Sequence, residues 1–263
     1  MERVVVGLED EATGRVVLEW IIERAGRRPM EILLVAALDV SGSNPGEAKA
    51  RLAGASRVLQ DSAADTRAGS LLADRPLLHE LLAQSESADL IAIGSHPHPG
   101  IREYRTPSFP VSLAARSQCP VAVVPEDRER RDGPVVVGVD AAGDAFAAVR
   151  FAAQEAAAAA LELVVVHTWE PWAAPRTRTV QVEHEGILAG FVDRVRDEFP
   201  ALGVHGELRE AVAHEGIIAS SGDASLVVLG THRLGRESGL VLGAIHQEVM
   251  MRGGVPLCVV PLS

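Results

Sequence analysis

Residues 226–246, LVVLGTHRLGRESGLVLGAIH, hold the residue types that most resemble a ligand site. An apolar run stops at Gly230, a polar loop studded with glycines follows, and a second apolar segment opens at Leu240. Glycines at 230, 235, 239 and 243 let a backbone come close to a ligand, and a helix opening near Gly243 turns free N–H groups toward an anion. The chemistry implied is the cradling of a phosphate. Equally, such glycines end strands and cap helices with no ligand at all.

Other reactive side chains are thinner evidence. The pair His96 and His98 has no clear third ligand for a metal. Ser220 and Ser221 stand six and seven residues after His214 on one predicted helix, a spacing that forms no hydrogen-bonded dyad. His167 reads as a strand residue at a sheet edge. No activated nucleophile emerges, so no enzyme activity and no metal site are expected. The acidic run Glu9–Asp10–Glu11 is similar to the acid cluster of a response-regulator receiver, but that fold needs a Lys after its fifth strand, where this chain reads VVPEDRE.

Positioning these residues requires elements, and the chain writes its elements twice. RVVVGLE at 3–9 matches PVVVGVD at 134–140, an offset of 131 that also pairs ILLVAA (32–37) with LVVVHT (163–168). ADLIAIGSH (88–96) matches ASLVVLGTH (224–232) at an offset of 136, which also relates CPVAVVP (119–125) to VPLCVVP (255–261). Short Val-rich runs matching by chance would not keep one order and register. The charged run EDRERRDG, 126–133, marks the seam, giving domains 1–128 and 134–263.

Within the first half the strands read Arg3–Leu8, Glu31–Asp39, Thr66–Leu72, Leu90–Gly94 and Val121–Val124. The helices between them read Ala12–Arg27, Pro45–Ala64, Pro76–Ser85 and Ser108–Ser117. Alternation of this kind predicts an α/β fold of two tandem open parallel five-stranded sheets with helices on both faces. Ligands of such sheets bind at the carboxyl ends of the strands, where strand order reverses. The core must be aliphatic, since 47% of the 263 residues are hydrophobic but only 3% aromatic.

A net charge of −11 with no basic cluster argues against nucleic acid and against an anionic membrane surface as partners. The apolar stretch Ala152–Leu161 is broken by Gln154 and Glu155 and is too short to span a bilayer. Two scattered cysteines, Cys119 and Cys258, and no signal-peptide pattern after Met1 imply a cytoplasmic setting.

On these residues the chain resembles a tandem universal stress protein, two Rossmann-like domains of the adenine nucleotide alpha hydrolase-like type. That family opens on a strand ending in Asp-Gly-Ser and closes on a G-x2-G-x9-G-[S/T] loop. The resemblance implies adenine-nucleotide binding: Val139 and Asp140 at the adenine, Thr168 beside the ring, and Gly230, Thr231, His232, Arg233, Gly243 and Ala244 on the phosphate loop. Arg233 stands at the motif's second glycine, Ala244 at its closing hydroxyl, and DAA replaces Asp-Gly-Ser. Weak ATP binding is therefore expected, in the second half only. In the first half Pro97 and Pro107 replace glycines, and Glu9, Asp10 and Glu11 face any phosphate with like charge. The alternatives are a nucleotide-independent interaction scaffold and, on fold analogy alone, a weak ATP hydrolase. The resemblance further implies an internal pseudo-dimer through the apolar last strands, with homodimer formation left open.

Overall fold

The computed structural model describes residues 1–38, 45–62, 66–96, 108–140, 145–170, 178–232 and 243–262. Among them two compact units separate, 1–128 and 129–262.

The first unit runs β1 (Glu2–Gly7), α1 (Glu11–Ala25), β2 (Met30–Ala37), α2 (Pro45–Ser62), β3 (Arg67–Ala73), α3 (Leu77–Gln84), β4 (Leu90–Ser95), α4 (Phe109–Arg116) and β5 (Val121–Pro125). Its strands lie in the order β3-β2-β1-β4-β5, and the pairs are parallel. Val4, Val5, Ile32, Leu34, Leu90 and Ile91 are fully buried, as strands covered by helices on both faces must be. β3 is half exposed, which is why its sequence carries so faint a strand signal. At the other end of β1, Arg24 of α1 grips Glu2 with two bonds of 2.7 Å, tying the helix end to the first strand.

The second unit repeats the pattern: β6 (Val135–Val139), α5 (Phe146–Ala159), β7 (Leu163–Trp169), α6 (Arg178–Glu198), β8 (Val204–Glu210), α7 (Ala213–Ser220), β9 (Leu226–His232), α8 (Ala244–Arg252) and β10 (Leu257–Leu262). The order is β8-β7-β6-β9-β10, again parallel. α5 lies close against the sheet because its buried face is built from Ala148, Ala152, Ala153 and Ala156, all fully enclosed. Residues small enough for close approach leave little side-chain entropy to lose.

Gly94 of β4 has a packing role. A Cβ there would sit 2.4 Å from the carbonyl oxygen of Thr13, so the first turn of α1 can cross β4 only over a glycine.

Candidate functional site

In the second unit the chain lays β6, β7 and β8 outward and then returns to place β9 on the other side of β6. The reversal lies between β6 and β9. Val139 pairs with His167, and Gly138 with Leu229, so β6 stops at Val139 while β7 and β9 run on past it to Trp169 and His232. Asp140 therefore emerges exposed beside the end of β9, where Gly230 and Thr231 lie. His232 closes β9, and Arg233 lies outside the described residues.

α8 begins at Ala244 behind Gly243, whose φ of −55° and ψ of 153° suit any residue, and no side chain caps the turn. Among the described residues a Cβ on Gly243 would meet only Nδ1 of His246, at an ordinary 3.6 Å, so neither its conformation nor these neighbours require a glycine there. Gly230 differs. Its missing side chain makes room for Leu262 of β10, whose Cδ1 would stand 2.9 Å from a Cβ.

Two histidines escaped the sequence reading as parts of this site. His246, in the first turn of α8, places Nε2 2.9 Å from the carbonyl oxygen of Gly230. A carbonyl only accepts, so Nε2 carries the proton, and among the described residues the buried Nδ1 has no hydrogen-bond partner. Burial pushes its pKa below the ordinary value and keeps it neutral. The ring pins the start of α8 to the end of β9. The sequence signal was its place three residues after Gly243.

His167 is on a strand, as expected, but β7 runs between β6 and β8, so the edge position is corrected. It is buried because its ring has bonds to make inside. Nδ1–H donates to the Val139 carbonyl at 3.0 Å, which leaves Nε2 to accept from Nδ1–H of His184 at 2.8 Å. His184 comes from α6 and stacks on Trp169 at 5.4 Å. Burial lowers the pKa of His167, with the Val139 bond and Asp140 pulling the other way. Strand alternation sends Thr168 to the opposite face, where its Cγ2 would stand 2.6 Å from a Cβ on Gly216 of α7. The serines are structural: Ser220 donates to Glu207 at 2.8 Å, and Ser221 to the Ile217 carbonyl. Among the described residues no group of three His, Cys, Asp or Glu side chains is arranged to hold a metal.

The corresponding reversal in the first unit lies between β1 and β4 and is bridged by side chains. His96, just past β4, places Nε2 2.7 Å from Asp10 Oδ2 and Nδ1 2.7 Å from Glu126 Oε2. Both nitrogens face acceptors, so the imidazolium is favoured, and Glu126 and then Asp10 raise its pKa. Asp10 also caps α1, accepting from Thr13 N–H at 3.0 Å. Of the acidic run, this residue is spent on a clasp across the strand ends. Pro97, His98 and Pro107 lie outside the described residues.

Comparison with known proteins agrees with this architecture. The universal stress protein family model matches residues 1–125 and again 133–261. A universal stress protein of Mycobacterium tuberculosis is 28% identical over 184 residues, 66% of this chain, and the match spans 62% of the relative's length. A second from that species is 24% identical over 97% of this chain and 95% of its own. Among solved structures, a universal stress protein from Archaeoglobus fulgidus covers 99% of this chain and 96% of its own, with a TM-score of 0.71 at 18% identity. The chain belongs to the universal stress protein family and carries the family's domain twice.

Proposed function

We propose that the second unit binds an adenine nucleotide, ATP with low affinity, and that the protein acts in the stress response as a binding module without turnover. The observation that carries this reading is the reversal between β6 and β9, which brings exposed Asp140 to the strand ends beside the N-terminus of α8, opened by a glycine that its described neighbours do not require. Adenine falls to Val139, Asp140 and Thr168, and phosphate to Gly230, Thr231, His232, Arg233, Gly243 and Ala244. The first unit does not take part, because the Asp10–His96–Glu126 clasp spans its strand ends.

Equilibrium dialysis of labelled ATP against the full chain tests the reading, with saturable binding that Asp140→Ala abolishes as the expected result. Ala244→Ser restores a hydroxyl at the start of α8 and should tighten binding about tenfold, roughly the 1.4 kcal/mol of a charge-assisted hydrogen bond. Weaker binding in Arg233→Gly means that the guanidinium holds phosphate; tighter binding means that it obstructs. No ATP binding in the parent or in either revertant replaces this reading with the nucleotide-independent scaffold. Phosphate release above a no-protein blank would revive the hydrolase.

Among the described residues no helix is long and apolar enough to cross a membrane. Cys119 and Cys258 are buried and not joined in a disulfide, the first with its pKa pushed up to about 11 by burial, and they suit a reducing compartment such as the cytoplasm. Pairing of the two copies through Val121–Val124 and Leu257–Val260 is proposed from the duplication and the apolar last strands alone. Cross-linking with mass spectrometry tests that pairing, and sedimentation tests a homodimer.

A further inference from the structure

α1 and α2 of the first unit leave a cleft of about 780 Å³ between them, within the size range of small-molecule pockets. From α2 it is lined by Glu47, Ala50, Arg51, Gly54, Ala55 and Val58, a three-and-four spacing that makes one helix face. From α1 come Gly14 and Leu18, with Leu8 beneath. Between its charged side chains the lining is apolar and small, and Val58 is left 44% exposed.

Three features make this cleft more than a packing gap. Gly54 sits in the interior of α2, where glycine weakens a helix, yet among the described residues a Cβ there would meet nothing within 4 Å. Two of the lining carboxylates have partners, Asp10 with Thr13 and His96 and Glu19 with Arg15 at 2.9 Å, and the other two, Glu11 and Glu47, stand in the first turns of their helices, where the helix dipole offsets their charge. Among the described residues the buried Nε–H of Arg51 has no hydrogen-bond partner. The second copy offers a contrast. At the offset of 131, Arg15 of the cleft lining becomes Phe146, a buried ring, while Ala36 and Leu38, which do not line the cleft, become His167 and Trp169. Phe146 lies under Arg194 at 3.5 Å, and His167 and Trp169 close on His184 of α6.

We propose that the α1–α2 cleft of the first unit binds a small amphiphilic anion, its carboxylate or sulfonate on the Arg51 guanidinium and its aliphatic or flat aromatic body between Gly14, Leu18, Gly54 and Val58. The site is separate from the nucleotide reading and does not depend on it. The ligand is a free molecule held in a cleft, not the surface of a bilayer.

Titration of the full chain with 8-anilinonaphthalene-1-sulfonate should give a saturable fluorescence rise with one site per chain. Decanoate should displace the dye; ATP, and vesicles containing anionic lipid, should not. Gly54→Leu places a side chain in the cleft and improves the helix, so the dye should bind at least tenfold more weakly while the Tm is held or raised. Should that variant lose Tm, Ala50→Leu on the same helix face provides the same reading. Arg51→Gln should weaken decanoate about tenfold and leave decanol, which lacks the charge, within twofold. No saturable dye binding, unchanged binding in the leucine variants, an equal loss of decanoate and decanol, or displacement by ATP or vesicles would each overturn the proposal.

Discussion

His96 and His167 respond to pH in opposite senses, because one is held between carboxylates and the other is buried. The folded pKa of His96 lies above its ordinary 6.5, so its contribution is complete below that value and is lost as pH rises through the folded pKa. With 49% of the side chain exposed, solvent screening holds the effect below about 1 kcal/mol. Chemical denaturation of His96→Gln should thus show a deficit at pH 6 that closes by about pH 9. For His167 the folded pKa lies below 6.5, so its contribution is present above that value and is lost as pH falls through the folded pKa. His167→Leu strands the Val139 carbonyl and His184, at a cost of about 1–3 kcal/mol at pH 8. The same variant should lose less stability than the parent between pH 7 and 5. Neither partner set was legible in the sequence, since Glu126 is 30 residues from His96, Asp10 is 86 away, and His184 belongs to a different element from His167.

Among the elements, glycines separate packing from ligand approach. Gly94→Ala drives a methyl into the Thr13 carbonyl and forces α1 off β4, so thermal melts should show a loss of about 1–3 kcal/mol. Gly243→Ala makes only ordinary contact with His246 and should change stability by less than about 0.5 kcal/mol. If α8 receives a phosphate, that same variant should still weaken ATP binding in dialysis. The strand and helix positions were legible to within a few residues: the strand read as Glu31–Asp39 runs Met30–Ala37, and the helix read as Pro45–Ala64 runs Pro45–Ser62. Periodicity reports such elements well because burial on both faces leaves an unbroken apolar run. The glycines were less legible, since a run of letters does not distinguish a Gly that faces Leu262 from one that faces open space.

For the whole molecule, dialysis should find no more than one ATP per chain, and Asp140→Ala should remove it. A second site surviving that substitution would mean that the Asp10–His96–Glu126 clasp leaves room for a ligand. The duplication, the α/β class, the parallel sheets and the family were determined by the sequence alone, because each is written in local patterns that repeat at a constant register. Only the tertiary structure decided that His96 bridges two carboxylates, that His167 is bonded within the sheet, and that a cleft lies between α1 and α2 of the first copy. These are contacts between residues far apart in the chain. Their existence depends on strand order and helix docking, which bring together side chains that no local spacing relates.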